Sequence, residues 1–218
     1  MIRHFISYPK SGRTWVRYML QQLGCERHIH IHHDRFEFND GARPAHNFDL
    51  AERLEHYSRV DRLIYLERDP RDVMVSLYHQ VTGRFRDFFG YQGSLSDFIR
   101  DDYFGAENLH RFRGIWTTIT REKGFPIVHY EDLHRETTET LRQIVTYFGF
   151  LVRNDQITTA TRNAAFDKMK IMEQSNNFPE PWLRPRNGFA KVRVGKVGSH
   201  VEVLSVEDLQ YLNDLFTL

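Results

Sequence analysis

Short apolar runs alternate along the chain with longer stretches in which apolar residues recur every three or four positions. The runs at Phe5–Tyr8, Ile29–His33, Leu63–Leu66 and Phe125–Tyr130 have the length and boundaries of buried strands. Helical spacing covers Thr14–Leu23, Asp49–Tyr57, Pro70–Val81, Glu107–Glu122, Glu136–Phe148 and Asp155–Ala165. Strands alternating with helices predict an α/β, three-layer fold, a central parallel β-sheet flanked by helices. Ligands of such sheets sit beyond the carboxyl ends of the strands. No repeat or low-complexity linker interrupts the pattern, so residues 1–218 read as one domain.

Two stretches break the periodicity. Arg84–Gly93, RFRDFFGYQG, carries four aromatics without a helix or strand period. Ser175–Ser199 holds Pro179, Pro181, Pro185, Gly188, Gly195 and Gly198, which predicts mostly loop. Within it Arg184, Arg186, Lys191, Arg193 and Lys196 follow one another with no acid between. That cluster is hidden in the overall balance of 30 Lys+Arg against 29 Asp+Glu, a formal charge of +1. A global basic field for nucleic acid is therefore absent, and an anion site must be built locally. With 40% hydrophobic and 27% charged residues, the 218-residue chain is expected to fold around a sizeable core. Its single cysteine, Cys25, excludes an intrachain disulfide and fits a reducing compartment. The N-terminus lacks a long apolar segment and no stretch approaches the roughly 18–20 apolar residues of a membrane span, so a soluble, cytoplasmic protein is expected.

The first strand runs into YPKSGRTW, and a helix follows. Backbone N–H groups from Ser11 to Thr14 lie at a helix N-terminus, where unpaired donors and the helix dipole favour an anion. Gly12 permits close approach, Ser11 and Thr14 add hydroxyls, and Lys10 adds a point charge. An ATP-binding loop places its lysine after the glycine, beside a hydroxyl for Mg²⁺, and this loop does not. An ordinary strand-to-helix turn with a surface lysine is the plain alternative. A second feature strengthens the anion reading. In LIYLERDPRDVMVSLYHQ a buried strand meets a helix started by Pro70, Arg68 ends the strand, and Ser76 stands two turns into the helix. An arginine fork with a hydroxyl can hold a second phosphate. Arg71 and Asp72 read instead as members of a solvated salt-bridge cluster.

Together, YPKSGRTW and RDPRDVMVSLYH resemble the sulfotransferases that use 3′-phosphoadenosine 5′-phosphosulfate (PAPS). HYEDL at 129–133, AAFDKM at 164–169 and KVRVGKVG at 191–198 resemble three later motifs of that family, in order. The resemblance implies that Lys10, Ser11, Gly12, Arg13, Thr14 and Trp15 bind the 5′-phosphosulfate end, with Trp15 beside the adenine. It implies Arg68 and Ser76 for the 3′-phosphate, Tyr130 and Phe166 flanking the adenine, and Arg193, Gly195 and Lys196 in the late loop. Arg13 stands where the family commonly has threonine, and Val194 where lysine is common. PAPS would be the donor and PAP (3′-phosphoadenosine 5′-phosphate) the product. An activated donor needs no metal, which accounts for the missing Mg²⁺ form of the loop. Lys10 becomes the electrophile that stabilises the leaving oxygen.

A general base is still required, and the family uses histidine. His33 ends the HIHIHHD strand; by alternation Ile29, Ile31 and His33 share one face and His28, His30 and His32 the other. It therefore reaches the carboxyl edge of the sheet, and His33-Asp34 resembles the His-Asp pair of compact bacterial members. His46 lies 22 positions before Arg68, close to the spacing in mammalian cytosolic members. Strand-end placement favours His33, with a pKa near 6.5 suited to a base. Alternate histidines can also chelate a metal, yet no acid or cysteine cluster obviously completes a set. The plainer reading of His28, His30 and His32 is partly exposed residues on an edge strand.

The acceptor is less constrained. Phe85, Phe88, Phe89 and Tyr91 suit an aromatic, lipid-like or sugar face, or else cap the core, and a small-molecule or glycan acceptor with a hydroxyl or amine is expected. LSVEDLQ partly resembles a dimer segment of cytosolic members, with Val201 and Gln210 in place of its flanking charges. Two rival readings are a P-loop kinase or NTPase and a non-catalytic module that binds polyanions through residues 184–196.

Overall fold

The computed structural model describes residues 1–34, 47–175, 178, 183–192 and 195–218. Four strands, β1 (Arg3–Ser7), β2 (His30–His32), β3 (Arg62–Glu67) and β4 (Ile127–His129), form one parallel sheet in the order β2-β1-β3-β4. All four fall within the predicted apolar runs or one residue beyond them, save β1, which starts two residues earlier. The fourth is cut short because Tyr130 already begins a helix.

Strands buried on both faces need runs of apolar residues, and Phe5–Ile6 of β1 and Leu63–Leu66 of β3 supply them. Ile6, Leu63 and Tyr65 face one cluster, while Phe5, Ile64 and Leu66 face the other. Burial of each such side chain contributes about 1.5–3 kcal/mol. Six helices match the predicted ones within one to three residues at either end: α1 (Arg13–Gln22), α2 (Leu50–His56), α3 (Pro70–His79), and, after α4 (Arg86–Phe89) and α5 (Leu95–Ile99), α6 (Ala106–Lys123). Beyond α7 (Tyr130–Arg135) come the matching α8 (Thr137–Tyr147) and α9 (Asn154–Asn163), then α10 (Phe166–Gln174) and α11 (Val206–Phe216). Asp49 caps α2 by accepting from Glu52 N–H, and Asp69 caps α3 ahead of Pro70.

Three sequence readings need correction. RFRDFFGYQG contains helix α4; Phe85, Phe89 and Tyr91 pack on the core and Phe88 is exposed, so three of its four aromatics cap the core. Asp72 is buried, not solvated: its carboxylate accepts from Gly198 N–H at 2.8 Å, His200 N–H at 3.1 Å and His200 Nδ1–H at 3.0 Å. Arg71 does pair with Asp69, at 2.6 Å. The helix predicted to reach Val81 stops at His79 and widens into a π-helical turn over Gln80–Arg84. No helix among the described residues is long and apolar enough to cross a membrane.

Candidate active site

Each strand hands the site one residue just past its carboxyl end. Lys10 follows β1, His33 follows β2, Arg68 follows β3 and Tyr130 follows β4, and all four line a cavity of about 890 Å³. That is where a parallel sheet is open to ligands.

The β1–α1 loop turns through two left-handed residues, Lys10 at φ 69° and Gly12 at φ 99°. A Cβ on Gly12 would come within 2.5 Å of the Tyr130 ring, so only glycine lets loop and ring meet. Gly12 caps α1 and its carbonyl takes the Trp15 N–H at 2.9 Å, while the N–H groups of Arg13 and Thr14 have no carbonyl one turn earlier to bond. Thr14, Arg13 and Trp15 line the cavity; Ser11 is buried and lies outside the wall. Lys10 Nζ donates to Gln80 Oε1 at 3.0 Å, which aims the ammonium across the loop.

Arg68 donates through Nη1 to Lys10 O at 3.0 Å and lies 4.4 Å from the Tyr130 ring centre, a cation–π contact. Its Nε is buried and has no hydrogen-bond partner among the described residues. A buried guanidinium donor left unsatisfied is costly unless an anion completes it. Ser76, two turns into α3, lines the same cavity. Trp15 donates its Nε1–H to Ala164 O at 2.8 Å and packs edge-on to Tyr130. Phe166 covers Gly195, where a Cβ would approach its ring to 2.2 Å, and Lys196 lines the wall beside it. Tyr130, Trp15 and Phe166 thus give a slot of flat faces next to the cationic loop. Arg193 and His46 lie outside the described residues.

His33 is 2% exposed. Its Nδ1–H donates to Ser7 O at 3.0 Å, since a carbonyl can only accept. Nε2 then carries the lone pair, and Arg13 Nη2 donates to it at 2.5 Å. Burial, and after it the Arg13 charge, hold the His33 pKa well below the usual imidazole value. Asp34, in the left-handed region at φ 55°, turns its carboxylate away from His33. It accepts from Tyr57 OH at 2.8 Å, Arg53 Nε at 2.5 Å and Trp116 Nε1 at 3.3 Å, a buried anchor for the strand end. His4, His30, His32 and His56 form a group with Tyr57 at the edge of the sheet. His4 and His32 share a hydrogen bond of 2.8 Å, and among the described residues no set of three or more His, Cys, Asp or Glu is placed to hold a metal ion.

A family model described as "Sulfotransferase domain" matches residues 5–217. The chain belongs to the sulfotransferase family. Sulfotransferase 2A2 of Mus musculus is 23% identical over 97% of this chain and 81% of its own length. Amine sulfotransferase of Oryctolagus cuniculus is 22% identical, covering 97% of this chain and 78% of its own. Among solved structures, mouse sulfotransferase SULT7A1 complexed with PAP has a similar fold, with TM-score 0.71, 16% identity and coverage of 99% of this chain and 82% of that one.

Several residues that shape this sulfotransferase site escape sequence reasoning. Gln80, which holds Lys10, follows the serine helix on a turn of irregular winding. Glu173, 2% exposed, takes the N–H groups of Lys191 and Val192, and Asp72 takes those of Gly198 and His200. The two carboxylates pin the late loop from either side of its glycine. These bonds go to backbone N–H groups, which leave no mark on residue identity, so only the fold shows them. His134, one residue past the HYEDL stretch, donates Nε2–H to Gly195 O at 2.8 Å.

Proposed function

We propose that this enzyme moves the sulfuryl group of PAPS to the hydroxyl or amine of a small-molecule acceptor, with His33 as general base and Lys10 as electrophile. The observation that carries the reading is the Arg68 guanidinium: half-buried just past β3, stacked on Tyr130 and 3.6 Å from the Asp72 carboxylate, with its buried Nε left without a partner among the described residues. A 3′-phosphate supplies the missing acceptor, and ATP has none there.

PAPS brings an activated sulfuryl group whose leaving oxygen belongs to a phosphate, so transfer needs positioning and charge stabilisation rather than redox or acyl chemistry. The first-turn N–H groups of α1 and Thr14 would bind the phosphosulfate end, and Lys10, steadied by Gln80, would stabilise charge on the departing oxygen. Arg68 and Ser76 would hold the 3′-phosphate, and Trp15, Tyr130 and Phe166 would enclose the adenine. Lys196 and Arg193 of the late loop would add charge.

His33 is arranged to take a proton at Nε2. Ser7 O fixes the tautomer, and the buried Asp34 anchor fixes the strand end that carries the ring. Arg13 sits on that lone pair, so His33 acts once Arg13 has turned toward the donor's anionic end. This gives Arg13 a role that threonine could not fill. The rabbit relative's name supports a small-molecule acceptor.

Calorimetry with PAP and 5′-AMP tests the donor. Tight PAP binding that needs no Mg²⁺, with far weaker 5′-AMP binding, is the expected result. Equal weak binding of the two, or ATP binding that requires Mg²⁺, would overturn the assignment in favour of an NTPase.

A further inference from the structure

Beyond the donor loop, the cavity continues between the π turn, α10 and the late loop. Its wall there has apolar faces from Phe85, Phe189 and Met169. Among the described residues, every charged side chain in that wall is a cation: Arg84, Arg184, Arg186 and Lys191, with Arg17 of α1 also lining the cavity. Among the described residues, no Asp or Glu lines any part of the cavity.

The carboxylates that belong to these cations stand behind them. Glu26 pairs with Arg17 at 2.7 Å, Asp87 with Arg186 at 3.1 Å, and Glu173 lies 3.9 Å from Arg84, each outside the wall. Such an arrangement holds the guanidinium groups in place and leaves the field inside the cavity positive. Arg84 is the most demanding member. It is 6% exposed, and its Nη1 donates to Arg184 O and Phe189 O at 3.0 and 3.2 Å. Its Nε is buried with no partner among the described residues. Arg186 adds a guanidinium 4.4 Å from the Phe85 ring centre, a flat charged face over an aromatic one.

We infer that the acceptor is itself an anion, a hydroxyl compound bearing a carboxylate, phosphate or sulfate group that Arg84 and Arg186 receive, with an apolar body against Phe85 and Phe189. The inference rests on the sulfotransferase reading of the same cavity and names the class of its second substrate. Bidentate guanidinium–oxyanion pairing gives both attraction and orientation. The same wall repels a protonated amine, so the transferable group is a hydroxyl. Donor and acceptor both being anionic also explains why the positive wall extends well past the phosphates of one nucleotide.

The test uses the full chain saturated with PAP and three phenols that differ in one charge: 3-(4-hydroxyphenyl)propionate, its methyl ester, and tyramine. Two further matched pairs extend it, 4-hydroxyphenyl phosphate against 4-methoxyphenol and methyl glucuronide against methyl glucoside. In calorimetry at least one anion is expected to bind about tenfold more tightly than its neutral counterpart, with tyramine weakest among the phenols. Arg186→Gln, a half-exposed position less prone to misfolding than the buried Arg84, is expected to cut that preference to about threefold or less while PAP affinity is retained. If no anion binds more tightly than its neutral partner, or if Arg186→Gln leaves the preference intact, the inference falls. Failure of PAP itself to bind would instead sink the donor assignment, so the two outcomes are separable.

Discussion

The Arg13 guanidinium sits on the lone pair that a base at His33 would use. Burial first, and the Arg13 charge second, depress the His33 pKa, so the neutral imidazole persists to unusually low pH. With His33 as the proposed base, activity would need that neutral form, and the acid limb of the kcat/KM profile is expected below the ordinary histidine range. Replacing Arg13 with the family's threonine removes one depressing charge, raises the His33 pKa and should move the acid limb to higher pH. A limb that stays put or moves down would show that Arg13 does not act on His33. His33→Ala should lower turnover by about 10²–10⁴-fold with PAP affinity kept, the usual span for loss of a positioned base. His46→Ala, measured beside it, is expected to leave turnover largely intact.

Among the elements, the late loop is the one whose order depends on distant residues. Asp72 near the start of α3 reaches residues 126 and 128 positions away, and Glu173 at the end of α10 reaches Lys191 and Val192. Asp72→Ala would strip partners from two backbone N–H groups and from His200, and should cost about 3 kcal/mol or more. Urea unfolding would read that loss, and calorimetry should show weaker PAP binding because Arg68 loses the carboxylate 3.6 Å away and the loop that carries Lys196 loses its anchor at Gly198. A variant with unchanged stability would contradict the assigned role. This is also where sequence reading fell short. The loops after β1 and β3 were legible because their neighbours in sequence are their neighbours in space. Asp72, inside RDPRD, looked like a surface ion pair, and nothing nearby in the sequence marks it as buried. Gln80 and Arg84 were hidden for another reason: apolar periodicity continues to Val81 and conceals where the winding changes.

For the molecule as a whole, four parallel strands and their flanking helices could be read from apolar runs, since a two-sided buried strand needs an apolar residue at nearly every position. Less legible was the histidine group at the open edge of the sheet. Burial, helped by His30 and His56, lowers the His4 pKa to about 4. Burial, then His4, Arg13, His30 and His56, lower that of His32 to about 3. Unfolded, both would titrate near the ordinary value of about 6.5. The native state then binds fewer protons than the unfolded one, so stability is full above about pH 6.5 and is lost as pH falls toward 4 and then 3. Thermal melts between pH 7.5 and 4.5 should show a falling Tm, and His4→Gln combined with His32→Gln should flatten the slope. An unaltered slope in the double variant would assign the acid sensitivity elsewhere.

The π-helical turn at Gln80–Arg84 has a mechanical consequence. It is wound one residue wider than an α-helical turn, and on that surplus residue depend both the grip of Gln80 on Lys10 and the grip of Arg84 on Arg184 and Phe189. Deleting Val81 would restore regular winding and swing everything after it by about 100°. The β1–α1 loop and the arginine-lined wall hang from a common pivot, and a single misplaced residue there would put them out of phase.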